Sequence, residues 1–223
     1  MTYLENKNKI CAVIPFFNES STLNKIIIET IPFVDKLILV NDGSNDSWEN
    51  EIPLSEKIIL LNHSHNLGKG STLKLGFEQS IKLNSTYTIT LDADLQHDPK
   101  FIPRFIEKIS EFDCVIGNRK KSNKRMPIHR KMSNYLTSKL LSLKTGIKIL
   151  DSQSGFRIFK TEILNKILPD FSGFEAESEM IVKMAKNKNS IGFLEIPTIY
   201  GADNSKMKAI PAITGFLKVL FKV

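Results

Sequence analysis

The chain reads as an α/β protein built on a mainly parallel central sheet. Two observations predict this: apolar runs of strand length alternate with amphipathic helical stretches, and acids and amides gather just past the ends of those runs. In open α/β sheets that rim is where ligands bind. A length of 223 residues allows one sizeable core and is short for two. Hydrophobic content of 41% with 25% charged residues excludes a disordered or fibrous chain, and no period marks internal repeats.

The elements follow in order. Ile10 to Ile14 is a continuous apolar run, suited to a strand buried on both faces. Ser20 and Ser21 are capping residues, after which Leu23, Ile26, Ile27 and Thr30 trace one face of a helix. Lys36 to Val40 is the second strand and Lys57 to Leu61 the third, with a turn from Ser44 to Ser47 between them. Leu73, Phe77 and Ile81 recur at helical spacing. Thr86 to Leu91 alternates as a strand, and Phe101, Ile102, Phe105, Ile106 and Ile109 form the apolar face of the next helix. A strand from Asp113 to Gly117, helices near Lys131 to Leu143 and Glu175 to Ala185, and a strand near Phe193 to Tyr200 complete the pattern.

A formal net charge of +7 implies an acidic partner: a nucleotide, a nucleic acid or an anionic membrane surface. Much of the charge lies between Arg119 and Lys131, a segment without aromatics for stacking bases, which ranks nucleic acid low. The polar stretch from Met1 to Lys9 lacks the apolar core of a signal peptide, so a cytoplasmic chain is expected. Cys11 and Cys114 each sit inside an apolar run, as reduced buried thiols do.

The rim carries the chemistry. Asp92-Ala93-Asp94 stands directly after a strand, where a turn can aim both carboxylates into one cleft as hard ligands for Mg²⁺ or Mn²⁺ on a diphosphate. Pro15, Asn18 and Glu19 follow the first strand, Asn41, Asp42 and Gly43 the second, Gln96 the fourth, and Asn118 and Arg119 the fifth. Other motifs fail. Leu67-Gly68-Lys69-Gly70 lacks the pattern of a phosphate loop and reads more plainly as a strand-to-helix turn, and His63 and His65 read as exposed histidines. A glycine-rich dinucleotide fingerprint is missing after the first strand. Trp48 and Tyr200 read as packing residues.

Taken in order, Val13-Ile14-Pro15-Phe16-Phe17-Asn18-Glu19, Val40-Asn41-Asp42-Gly43-Ser44-Asn45-Asp46, Asn66-Leu67-Gly68-Lys69-Gly70, Asp92-Ala93-Asp94-Leu95-Gln96-His97-Asp98-Pro99, Gly117-Asn118-Arg119 and Asp151-Ser152-Gln153-Ser154-Gly155-Phe156-Arg157 resemble the family 2 glycosyltransferases of GT-A fold. Within them the dolichyl- and polyprenyl-phosphate sugar transferases are most similar. The resemblance implies a Rossmann-like three-layer sandwich. It also implies a nucleotide-sugar pocket of Pro15, Phe16, Glu19, Asp42, Asp92, Ala93 and Arg119, with Asp42 accepting from the base. Asp94 and Gln96, with Asp92 nearby, would hold the Mg²⁺ or Mn²⁺ that neutralises the departing diphosphate. Arg119 and Arg157 would add fixed positive charge there. Asp94, Arg157 and Glu177 are the expected catalytic residues, Glu177 as the base if the acceptor is a hydroxyl. Arg130 and Ser133 resemble the motif that grips an acceptor lipid's phosphate.

The expected function is an inverting, metal-dependent transfer of a hexose from GDP-mannose or UDP-glucose to a polyprenyl or dolichyl phosphate, at the inner face of the membrane. Transfer to a glycan hydroxyl and non-catalytic nucleotide-sugar binding are the alternatives. The segment Tyr200 to Met207 lacks the arginine that the family often carries there. Residues 1–208 are expected to form the transferase domain and 209–223 an amphipathic helix. Its stripe of Ile210, Ile213, Phe216, Leu217 and Leu220 suits either a lipid interface or packing on the domain. It is too short to span a bilayer.

Overall fold

The computed structural model describes residues 8–119, 128–197, 199 and 209–223, with side chains from 132 and from 213 onward in the two helices that begin at 128 and 209. Seven strands form one sheet in the order β3-β2-β1-β4-β6-β5-β7. These are β1 (Ile10–Phe16), β2 (Lys36–Asn41), β3 (Ile58–Asn62), β4 (Tyr87–Thr90), β5 (Cys114–Arg119), β6 (Arg157–Lys160) and β7 (Ile191–Ile196). The helices are α1 (Ser20–Thr30), α2 (Lys69–Lys82), α3 (Ile102–Lys108), α4 (Ile128–Thr145), α5 (Leu164–Ile167), α6 (Ala176–Lys186) and α7 (Ala209–Lys222).

Alternation along each strand divides the core into two. Ala12, Ile14, Leu37, Leu39, Ile89 and Ile158 face one side, where Leu23, Ile26 and Ile27 of α1 and Ile102 and Phe105 of α3 cover them. Cys11, Val13, Ile38, Val40, Cys114 and Phe159 face the other, under Leu73 and Phe77 of α2, Leu141 of α4, Met180 of α6 and Val219 of α7. The expected three-layer α/β sandwich is therefore the observed one. Both cysteines are free and buried, and burial pushes their thiols up, Cys11 to about 11 and Cys114 to about 12.

All pairings are parallel except those of β6, which runs antiparallel between β4 and β5. Sequence reading missed this strand. Arg157-Ile158-Phe159-Lys160 is short and bounded by two cations, so it carries too little periodicity to register. Its orientation has a consequence: the loop leading into Arg157 arrives at the same edge of the sheet where β1, β2, β4 and β5 end. After β1, β2 and β3 build one side and the chain returns through β4 to build the other, which puts the switch in strand order between β1 and β4. The strand expected to reach Tyr200 ends at Ile196, and Tyr200 to Met207 lie outside the described residues.

Candidate active site

Asp92 and Asp94 project from the turn just past β4, at the switch point. Leu95 between Asp94 and Gln96 adopts φ 58, and Asn18 past β1 adopts φ 53, so two non-glycine residues on this rim hold left-handed backbone. The Leu95 kink turns the Gln96 amide back onto Asp94 Oδ1, 3.1 Å away.

The two carboxylates have opposite electrostatics. Burial disfavours the Asp92 anion, yet Lys69 and, more weakly, His97 and Arg119 overcome it and bring its carboxyl down to about 2. Asp94 is raised to about 6, first by burial and then by the negative charge of Asp92, with Glu19 contributing. Glu19, Asp92, Asp94, Lys69 and Arg119 therefore share one electrostatic neighbourhood.

Lys69 holds the centre. Its ammonium lies 2.7 Å from Asp92 Oδ1 and 3.0 Å from Glu177 Oε1. Burial would lower its pKa, but the two carboxylates more than offset this and raise it. Phe174 adds its ring face at 5.8 Å from the ammonium. In the sequence Lys69 reads most plainly as part of a strand-to-helix turn, with a phosphate contact as the alternative, because the carboxylates it meets are distant along the chain. Gly68 caps α2 with φ +97, and Gly70 N donates to Ser172 O at 2.6 Å, which seats the start of α2 against the 171–175 loop. That loop is itself pinned by Glu179, whose carboxylate accepts from the Asp170 and Phe171 amides at 3.0 Å.

Asp92 is held from behind. A Cβ on Gly155 would stand 2.6 Å from Asp92 Oδ1 and closer still to Oδ2, so only glycine lets the loop before β6 pass under this carboxylate. His97 Nδ1 accepts from the Asp92 amide at 3.4 Å while its ring packs 5.4 Å from Phe156. Burial holds His97 down to about 4, so it is neutral at pH 7 and its approach to Asp92 is not an ion pair.

Other expected residues stand as follows. Arg119 makes a two-pronged contact with Asp151, Nε to Oδ2 at 2.7 Å and Nη2 to Oδ1 at 2.9 Å, and Asn134 Nδ2 of α4 joins Oδ1 at 3.0 Å. Burial acts to raise Asp151, and Arg119 overcomes it, so the carboxyl lies below its usual range. Pro15, Phe16 and Ala93 are buried, Phe16 against Trp48 at 5.4 Å. Ser133 is exposed in the first turns of α4, whereas the Arg130 side chain lies outside the described residues.

Three expected residues have surroundings the sequence did not show. Asp42, expected to accept from a base, has protein partners of its own: Oδ1 takes the Leu67 amide and His63 Nδ1, and Oδ2 takes the Gly68 amide, all at 2.9 Å. It shapes the turn that delivers Lys69. His63 is correspondingly a mostly buried partner of Asp42 rather than an exposed histidine. The Arg157 guanidinium, expected at a diphosphate, is buried and donates to the carbonyls of Ser154, Glu177 and Ser152 at 2.8, 2.9 and 2.9 Å. It braces the site from beneath. The reversed direction of β6 puts its first residue, Arg157, at the rim end of the sheet, and that reversal has no signature in the sequence.

Among the described residues no three His, Cys, Asp or Glu side chains converge as a metal-binding group. The chemistry of Asp92 and Asp94 nevertheless fits a divalent cation: two hard oxygen donors on one turn, both half-buried, with burial and Asp92 disfavouring the Asp94 anion. Mg²⁺-type sites commonly use one or two carboxylates and complete the shell with phosphate oxygens and water.

Residues 11–168 match the family model described as Glycosyl transferase family 2. The chain is 34% identical to an uncharacterized protein of Methanocaldococcus jannaschii, over 98% of this chain and 92% of that one. It is 28% identical to the UDP-N-acetylglucosamine–dolichyl-phosphate N-acetylglucosaminyltransferase of Methanococcus voltae, over 96% of this chain and 94% of that one. Identity is 30% to the undecaprenyl-phosphate 4-deoxy-4-formamido-L-arabinose transferase of Proteus mirabilis, over 75% of this chain and about half, 54%, of that protein. Among solved structures, glucosyl-3-phosphoglycerate synthase from Mycobacterium tuberculosis, in complex with Mn²⁺, UDP and phosphoglyceric acid, gives a TM-score of 0.74 at 16% identity, covering 96% of this chain and 76% of that one. That likeness is one of fold.

Proposed function

Because this chain belongs to glycosyl transferase family 2 and is a glycosyltransferase of GT-A fold, we propose that it transfers a hexose from a nucleotide sugar to a polyprenyl or dolichyl phosphate, with inversion. GDP-mannose and UDP-glucose are the proposed donors.

One observation carries the acceptor class: Glu177, the acid expected as base for a hydroxyl acceptor, is ion-paired to Lys69 at 3.0 Å. Its Oε1 is engaged by the Lys69 ammonium, which supports reading Glu177 as the partner of Lys69 rather than as a base aimed at an acceptor hydroxyl. A phosphate monoester needs none, because its second pKa lies near 6 and it arrives ionised. The names of the Methanococcus and Proteus relatives, which specify dolichyl and undecaprenyl phosphate acceptors, support the same reading.

The residues divide the work accordingly. Asp94, with Asp92 beside it and Gln96 at the same turn, would hold Mg²⁺ or Mn²⁺, which when bound supplies charge neutralisation for the departing diphosphate. The Mn²⁺ in the glucosyl-3-phosphoglycerate synthase complex supports this assignment. Lys69 fixes Asp92 and keeps positive charge at the same point. Arg119, oriented by Asp151 and Asn134 at the end of β5, is the proposed fixed cation for the diphosphate. Pro15, Phe16, Glu19 and Ala93 wall the donor pocket, and Ser133 and Arg130 at the start of α4 are the proposed acceptor-phosphate contacts. Loading an ionised acceptor beside Lys69 and Arg119 would screen its charge during in-line attack on the sugar carbon.

The test incubates the protein with Mn²⁺ and radiolabelled GDP-mannose, UDP-glucose or UDP-N-acetylglucosamine, with and without undecaprenyl phosphate. Label moving into an organic-extractable, acid-labile lipid with one of the hexose donors is the expected result. Label moving only onto a glycan would replace the acceptor assignment. Donor binding without any transfer or hydrolysis would instead indicate a binding protein.

A further inference from the structure

We infer that α4 and α7 together form a docking surface for an anionic lipid bilayer. On α4, Met132, Tyr135, Leu136 and Leu143 recur at helical spacing and form one stripe. Their exposures are 66%, 55%, 56% and 74%. Asn134, Ser138 and Leu141 on the opposite side are buried. On α7, Ile213, Leu217 and Phe221 repeat every fourth residue and are 59%, 44% and 83% exposed, while Val219 is buried in the core. Soluble monomers rarely expose a contiguous apolar surface of this kind without a partner for it.

The two stripes belong to adjacent helices. Lys144 Nζ of α4 donates to the Leu220 carbonyl of α7 at 2.7 Å, joining the neighbours of Leu143 and Phe221. Charge identifies the occupant. Neither α4 nor α7 contains an aspartate or glutamate, and Lys139, Lys144, Lys218 and Lys222 border the stripes, all of them exposed. Exposed aliphatic and aromatic side chains rimmed by lysines, with no acid, suit an interface where acyl chains lie beneath anionic headgroups. No helix among the described residues is long and apolar enough to cross a membrane, so the surface would dock rather than insert through.

The buried faces of the same helices reach the candidate site. Asn134 of α4 holds the Asp151 that orients Arg119. Gly215 of α7 packs where a Cβ would lie 2.7 Å from Glu175 Oε2, two residues before Glu177. A bilayer gripping the outer faces would therefore hold the site at a fixed height over the headgroups. This last point rests on the proposed lipid acceptor; the docking itself does not.

The experiment is flotation of the full chain with vesicles of phosphatidylcholine alone or mixed with an equal part of phosphatidylglycerol, without donor or acceptor. Wild type should float with the anionic vesicles, float at least tenfold less with neutral ones, and be released by high salt. Leu136→Ser with Leu143→Ser, and separately Leu217→Ser with Phe221→Ser, should each lose at least tenfold in vesicle binding while melting as wild type does. Ile28→Ser, at an exposed position of α1 on the other face of the sheet, should bind normally. The inference is overturned if wild type fails to float, or if the stripe variants bind like Ile28→Ser. It also falls if wild type sediments as a dimer that these variants dissociate with vesicle binding unchanged, which would assign the surface to a second copy. Because the readout needs no turnover, its failure leaves the transfer assignment untouched.

Discussion

The Lys69 ammonium rests 2.7 Å from Oδ1 of Asp92, joining the first residue of α2 to the turn after β4. With Glu177 on its other side, Lys69 is the cation around which the acidic groups of the candidate site are arranged.

Replacing Lys69 by methionine removes that cation and leaves two carboxylates facing each other. Breaking a fully buried ion pair costs roughly 3–5 kcal/mol, and Asp92 is partly open to solvent, so a loss of about 2 kcal/mol is expected. A fall of about 5 °C in Tm would follow for a chain of this size, with transfer reduced at least tenfold. An unchanged melting curve would remove Lys69 from the centre of the site.

Asp94→Asn should separate stability from activity. In the fold its carboxyl is raised from 3.8 to about 6, so its contribution is present below the unfolded value and lost as pH rises through about 6. At pH 7.5 without metal the asparagine variant should melt higher than wild type, by about 1–2 kcal/mol of stability, and the two should converge below pH 4. Mn²⁺ should stabilise wild type and not the variant. Equal Mn²⁺ shifts would sink the ligand assignment. Asp92→Asn should differ, chiefly weakening donor binding and loosening Lys69.

Glu177→Gln tests whether Glu177 acts as a base. Loss of a general base costs about 10²–10⁴-fold in rate. With an ionised acceptor the variant should retain transfer within about tenfold, and its pH–rate profile should keep its shape. A collapse of kcat at unchanged KM would restore Glu177 as the base.

Arg157→Met should damage folding before chemistry. Three buried carbonyls lose their donors, each worth about 1–3 kcal/mol, so a loss of roughly 4 kcal/mol is expected in thermal melts. A variant that melts normally but binds donor poorly would return Arg157 to the diphosphate.

Asp151 should supply an acid limb to stability. Its folded pKa lies below the unfolded value near 3.9, so its contribution is present above that value and disappears as pH falls through the lower folded value. Wild type should outmelt Asp151→Asn at pH 6–7, and the gap should close below about pH 4. A gap independent of pH would deny the Arg119 pairing its electrostatic character.

The sequence by itself determined the alternation of elements, the family and the rim on which the acids stand. Those features rest on local signals: apolar runs, helical spacing, and Asp92, Asp94 and Glu19 at strand ends. What only the tertiary structure decided was which of these groups meet. Asp42 turns its oxygens onto Leu67 and Gly68, and Arg157 is drawn beneath the site by a short strand whose reversed direction depends on its neighbours in the sheet. Lys69 finds Asp92 and Glu177 across large separations in sequence. Spacing along a chain records periodicity within one element, whereas partners for a buried charge are chosen by packing between elements.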